Sequence, residues 1–231
     1  MKIEVWSDVV CPFCYIGKVR LENALKEIDP KLVDLIEWKS FQLDPNAEMH
    51  AGKPLNQYLS ESKGISMEEA AKLSDYVSEK GLEDDIHFQF DKAIVANTKK
   101  AHLLLHLAKD SGNQNRLKER LMRAYFLEGK DLNREEVLLE LAEEVGLDAA
   151  KSKEALQSEE LAYDFKSDIQ EAGQLGVRGV PFFVFNRKFA VSGAQPMETF
   201  RGAVQKAMKE SNIEIVNQQD GDACSVDDPN C

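Results

Sequence analysis

Two pairs of cysteines carry the chemistry legible in this chain of 231 residues: Cys11 and Cys14 flank Pro12-Phe13, and Cys224 and Cys231 stand near the other end. Thiol–disulfide exchange needs an accessible thiolate and a second thiol close enough to resolve the mixed disulfide. At i, i+3 spacing on a helix, Cys14 lies one turn beyond Cys11 on the same side. Pro12 suits the first helical position, where its missing N–H costs nothing. Cys11 is then expected just before the first turn, facing free N–H groups and the positive end of the helix dipole. Both favour thiolate and take the pKa below the free value of about 8.5. Two plainer readings stand beside this one, half of a zinc site and a pair of packed, inert thiols. Zinc normally wants two further Cys or His ligands at matching spacing, and the other cysteines lie more than 200 residues away.

The remaining reactive side chains are less informative. His102 and His106 are four apart and share one side of a helix. The HExxH zinc pattern needs glutamate after the first histidine, where Leu103 stands. Both sit at the border of an apolar face and read as histidines covering a core. Gly173, Gly176 and Gly179 precede a strand and not a helix, which removes a cofactor-loop reading. No Ser/His/Asp nucleophile motif or phosphate loop is present, and no metal or organic cofactor is expected. Cys224 and Cys231 sit in a segment, 211–231, that holds five acidic residues and neither Lys nor Arg. They read as thiols of an acidic tail, as a second dithiol exchanging with the first, or as a metal-capturing pair.

The elements that must position Cys11 and Cys14 follow from patterning. Ile3 to Trp6 alternates like a short strand. A helical stripe follows through Phe13, Ile16, Ala24, Leu25 and Ile28, stopped by Asp29-Pro30 because the residue before proline leaves the α region. Leu35 to Phe41 is rich in β formers, so the first 44 residues read β-α-β. Helical patterns then run over 54–63, 66–80, 97–109, 114–127, 134–145 and 148–174. Gly64, Gly81, Gly112, Gly129 and Gly146 serve as their turn or C-cap residues. Ser66 and Glu69 fit a capping box, and Ile86 to Phe90 reads either as an extended segment or as a loop on the helices. Val180 to Phe185 reads as a strand, Phe189 to Ser192 as its hairpin partner, and a last helix follows Pro196.

Composition sets the outer limits. With 43% hydrophobic and 30% charged residues, the chain reads as an ordinary soluble globular protein. A net charge of −12 argues against nucleic acid or an anionic membrane surface as partner. Glu4 and Asp8 interrupt any signal-peptide core and no run is long and apolar enough to span a bilayer, so the expected location is cytoplasmic.

With Cys11-Pro12-Phe13-Cys14 after a strand, Gly179-Val180-Pro181 opening another, and Ser192-Gly193-Ala194-Gln195-Pro196 before the last helix, the chain resembles the thioredoxin-fold oxidoreductases. It is most similar to the DsbA-like type with a helical insertion, in the FrnE-like branch that is similar to 2-hydroxychromene-2-carboxylate isomerases and kappa-class glutathione transferases. The resemblance implies an α/β thioredoxin fold split into 1–44 and 176–210, with an all-helical insertion at 45–175 and an acidic tail at 211–231. It implies that Pro181 is cis and lies against the CxxC, and that the Val180 backbone hydrogen-bonds a substrate chain. Pro12, Phe13, Val180 and Pro181 are thus the expected substrate contacts. Asn97-Thr98 with Ala101-His102 resembles a segment that faces the active site in this family, which adds His102. Many relatives carry a buried acid where Val5 stands, and Asp8 is the nearest acid before Cys11. The strongest oxidants carry histidine where Phe13 stands, so a milder potential of about −200 to −230 mV is expected.

The function these features imply is dithiol–disulfide exchange on a protein or small-molecule substrate, with glutathione as a candidate recycling thiol. The rivals are a glutathione-dependent isomerase or transferase on the same fold, whose relatives typically hold serine at the Cys11 position, and a redox-sensing or chaperone-like interaction protein.

Overall fold

The computed structural model describes residues 1–47 and 51–209 in full, and 214–215 and 224–225 along the backbone. In chain order it opens with β1 (Ile3–Ser7), α1 (Pro12–Ile28), a 3-10 turn at Pro30–Leu35 and β2 (Ile36–Ser40). Helices α2 (Leu55–Lys63), α3 (Met67–Leu82), α4 (Lys99–Asp110), α5 (Gln114–Phe126), α6 (Glu135–Glu144), α7 (Ala149–Ala155) and α8 (Glu159–Gln174) follow. The chain returns to strands with β3 (Gly179–Val180), β4 (Phe182–Phe185) and β5 (Phe189–Ser192), then α9 (Met197–Lys209) and the short β6 (Glu214–Ile215) and β7 (Cys224–Ser225).

The main sheet runs β2-β1-β4-β5-β6. β1 pairs parallel with β2 and antiparallel with β4. The alternation of Ile3, Glu4 and Val5 suggests a strand with one wet face, yet all five residues of β1 are buried. The reason is cover on both sides. Ile3 and Val5 pack with Leu21 and Leu25 of α1 and Phe200 and Val204 of α9, whereas Trp6 joins a second core built largely from the helices between β2 and β3. Buried Glu4 is matched by Arg187 and Lys2.

β2 lies at the edge of that sheet, where unpaired backbone groups invite foreign strands. Side chains of the helices close it. The Gln114 carboxamide accepts from Trp38 N at 2.8 Å and donates to Trp38 O at 2.9 Å. Asp168 of α8 accepts from Ser40 N at 2.8 Å and from the Lys39 ammonium at 2.9 Å.

The structure differs from the sequence reading at three places. The helical pattern over 148–174 is two helices, because Ser158 starts a new one, its hydroxyl accepting from Leu161 N at 3.2 Å. The run from Val180 to Phe185 is two strands in different sheets, interrupted at Pro181: β3 pairs with β7 and β4 with β1. Gly81 lies inside α3 and ends nothing; a Cβ there would come within 2.5 Å of the Phe88 ring. Phe88 belongs to the segment whose form the sequence left open. That segment is a loop, with Phe88 stacked on Phe90 and meeting Phe126 and Tyr15 edge to face. The capping box at Ser66 and Glu69 is present.

Candidate active site

β1 ends at Ser7, and the loop that follows brings Cys11 to the N-cap of α1. Its extended backbone (φ −90°, ψ 114°) turns the chain into the helix, and its Sγ accepts from Cys14 N at 3.3 Å. A sulfur thus occupies the place where serine or aspartate oxygen usually satisfies a free helical N–H. Negative charge at that sulfur meets a backbone donor and the positive end of the dipole.

Val180 O lies 3.7 Å from Cys11 Sγ, and the Val180–Pro181 bond is cis. Gly17, one turn after Cys14, makes this approach possible. A Cβ at Gly17 would stand 2.9 Å from the Phe183 ring and 3.0 Å from Pro181 Cγ. The loop therefore closes on α1 only because that position carries no side chain.

The two thiols differ in setting. Burial first, and then the hydrogen bond to Cys11 and the charge there, push the Cys14 thiol well above its ordinary range. Lys118 and the Ser7 hydroxyl pull it the other way. Burial thus favours the neutral Cys14 thiol, while the Cys11 sulfur sits on a backbone N–H at the helix start. Cys11, Phe13, Cys14, Val180 and Pro181 are all buried, and Pro12 is partly so.

A polar layer lies behind the motif. Asp8 is 1% exposed, accepting from Val9 N at 2.8 Å and Leu43 N at 2.9 Å. Its Oδ1 is 3.2 Å from His102 Nε2. Burial would raise this carboxyl, but the His102 contact, the Leu43 N–H and the Lys118 charge outweigh it and hold Asp8 below its usual range. Lys118 of α5 is fully buried; its ammonium donates to Ser7 O at 3.3 Å and lies 5.4 Å above the Trp38 ring. Loss of solvent holds Lys118 down at about 8, with Cys14, Asp8 and Cys11 opposing that drop.

The structure brings Cys11, Cys14, Pro12, Phe13, Val180 and Pro181 together at one end of β1 and α1. His102 stands apart from them. It is 1% exposed, its ring tilted against Phe165, and its path to the motif runs through Asp8. His106 meets Ser40 Oγ at 3.0 Å, on the side of β2. Cys224 lies in β7, where its backbone pairs with Val180; Cys231 is outside the described residues. Among the described residues no group of three or more His, Cys, Asp or Glu side chains is placed to hold a metal ion, and no helix is long and apolar enough to cross a membrane.

Sequence reasoning passed over Lys118 as one of 29 basic residues. A signal was available. Lys118 falls on the same helical face as Leu121, Met122 and Tyr125, three, four and seven positions on, all of them buried. A lone cation on an apolar stripe is the kind of residue that must be explained by its surroundings.

Comparison with known proteins agrees with this fold. Residues 2–205 match the model of the DSBA-like thioredoxin domain. The crystal structure of a probable DsbA oxidoreductase from Streptomyces coelicolor shares 34% identity at a TM-score of 0.82, covering 94% of each chain. The protein YwbO of Bacillus subtilis is 28% identical over 211 residues, 90% of this chain and 97% of that one. A 2-hydroxychromene-2-carboxylate isomerase structure superposes with a TM-score of 0.63 at 14% identity, over 91% of this chain and all of that one, a likeness of fold.

Proposed function

The chain belongs to the DSBA-like thioredoxin domain family, and on that premise we propose that it exchanges dithiols for disulfides through Cys11 and Cys14. The observation that carries this reading is the N-cap placement of Cys11, its sulfur on the Cys14 N–H and beside Val180 O. The Cys11 thiolate attacks a substrate disulfide, one substrate sulfur leaves as thiolate, and a mixed disulfide remains. Cys14 then attacks Cys11 Sγ, the second substrate sulfur leaves, and a Cys11–Cys14 disulfide forms. Run backwards, the same steps oxidise a substrate dithiol. No cofactor is needed, and glutathione or another thiol recycles the pair.

The substrate is a protein or small molecule carrying a thiol or disulfide, held by the Val180 backbone and Pro181, with Pro12 and Phe13 beside the sulfurs. The setting is the cytoplasm. Cys224 and Cys231 act as a second dithiol feeding the first; serine at both positions, leaving turnover unchanged, would remove that part. Trapping tests the whole. Cys14→Ser should accumulate mixed disulfides that reductant releases, and Cys11→Ser should accumulate none. No trapped species from Cys14→Ser would sink the reading.

The isomerase-like fold supports a second reading, glutathione-dependent isomerisation or transfer. It predicts turnover of aromatic substrates that persists in Cys14→Ser. A redox-sensing or chaperone-like role predicts partner binding that survives Cys11→Ser without disulfide turnover.

A further inference from the structure

We propose that the groove between α1 and α5 binds an elongated small molecule with an anionic group at each end, and that Arg116 and Arg123 take those two groups. The site is separate from the dithiol exchange proposed above, and its test reads binding alone.

The groove holds about 530 Å³, a volume in the range that accepts small-molecule ligands. α1 lines one wall and α5 the other. Five of its lining residues are Lys or Arg and two are Glu, in a chain with 29 basic and 41 acidic residues. The cationic surplus here runs against the composition of the whole.

Pairing separates the charges that hold the fold from those open to a ligand. Lys18 is 2% exposed and holds both carboxylates of the lining, Glu22 at 2.8 Å and Glu119 at 2.7 Å. Each carboxylate has a further partner. Asn115 Nδ2 donates to Glu22 at 2.9 Å, and the Tyr15 hydroxyl donates to Glu119 at 2.8 Å. Arg120 holds Glu128 and Glu144, outside the lining. Arg116 donates to the Asn113 amide oxygen at 3.2 Å and has no carboxylate. Among the described residues the Arg123 guanidinium makes no hydrogen bond or ion pair. The chain has eight arginines, and five of them hold a carboxylate: Arg20, Arg120, Arg134, Arg187 and Arg201. Among the described residues Arg116, Arg123 and Arg178 hold none, and two of these three share this groove.

Arg116, Arg120 and Arg123 fall on one face of α5, at i, i+4 and i+7, where like charges repel. Glu128 and Glu144 relieve Arg120, and an anion from outside relieves the other two. A planar guanidinium binds carboxylate or phosphate through two parallel N–H bonds. Seven residues of helix set Arg116 and Arg123 about 10 Å apart along the axis. A compact ion therefore engages one of them well, and an elongated dianion engages both. Val19 and Val145 also line the groove and suit a short apolar middle between the charged ends.

The test titrates the full chain by calorimetry with two elongated dianions, suberate and hexane-1,6-diol bisphosphate. Malonate and inorganic phosphate serve as their compact counterparts. One equivalent of an elongated dianion should bind about tenfold tighter, or more, than its counterpart, and added salt should weaken it. Suberate or the bisphosphate alone meeting that mark supports the proposal and names the anionic group the groove takes. Arg116→Gln and Arg123→Gln should each weaken the binding roughly fivefold or more. Arg178→Gln removes the same charge elsewhere and should weaken it less than about twofold. Binding without preference for length, equal losses in all three variants, or no binding of any probe would overturn the proposal. If a variant does not fold, NMR of the arginine Nε–H groups in the parent protein decides the matter. The Arg116 and Arg123 signals should move with the elongated dianion while that of Arg178 stays. Movement of neither, or of all three alike, overturns the assignment. Loss of dithiol exchange in Cys11→Ser should leave the binding unchanged, so the two readings fail separately.

Discussion

Asp8 shows how a single buried carboxylate ties the motif to the rest of the molecule. Its oxygens bind Val9 N and Leu43 N and meet His102, fixing the loop between β1 and Cys11. The folded carboxyl titrates below its ordinary value; in the unfolded chain it titrates at about 3.9. The unfolded state therefore binds more protons as acid is added. The stabilisation is fully present above about pH 4 and is lost as pH falls through the folded value. Asp8→Asn should lower stability at pH 7 by about 1–3 kcal/mol and flatten the acid limb of stability below about pH 4, read as urea midpoints across pH. An acid limb as steep as that of the parent would contradict this. At this scale the sequence is informative where chemistry is local. Cys11, Pro12 and Cys14 are neighbours whose spacing implies a helix start, and that start is present. Lys118 and Asp8 are 110 positions apart and share a site only after folding.

Between elements, glycine and proline decide how closely parts approach. Pro181 separates β3 from β4, and Gly17 of α1 receives the proline ring against bare backbone. Gly17→Ala replaces a poor helix former with the best one, so propensity alone predicts a gain of about 1 kcal/mol. The contacts at 2.9 and 3.0 Å predict the reverse. The new methyl should push the Val180–Pro181 loop away from Cys11, at a cost of about 1–3 kcal/mol. The denaturant midpoint and the rate of disulfide exchange should both fall. A variant as stable and as fast as the parent would show that the loop adapts. Helices announced by caps, such as Ser66 with Glu69, are legible. The break at Ser158 is not, because apolar spacing continues through it and only the side-chain cap marks the new start. The full burial of β1 is hidden for a related reason, since its alternation cannot reveal what later covers the second face.

On the scale of the whole molecule, the helices between β2 and β3 take part in the strand-and-helix unit as well as covering it. α5 sends Gln114 to the backbone of β2 and Lys118 to the Ser7 carbonyl of β1, and α8 sends Asp168 to the edge strand β2. The sequence order β-α-β, helices, β-β-α makes the insertion visible but not this traffic of side chains across its boundary.

The ladder between β3 and β7 has a consequence of its own. Val180, whose carbonyl faces Cys11, already pairs with Cys224 of the same chain, and Cys11 is fully buried. An incoming peptide that needs this backbone edge meets a tethered competitor. Attachment to the same chain gives an effective concentration on the order of millimolar, so only abundant or tightly held peptides would displace it. Deleting 211–231 should therefore speed the first single-turnover exchange of the reduced protein with a peptide disulfide several-fold, while gaining less with a small disulfide that needs no strand pairing. Equal gains for both, in parallel stopped-flow measurements, would mean that the tail screens the sulfur without contesting the edge. A gain confined to the peptide would mean that the chain sets a threshold of occupancy at the place Cys224 now holds beside Val180.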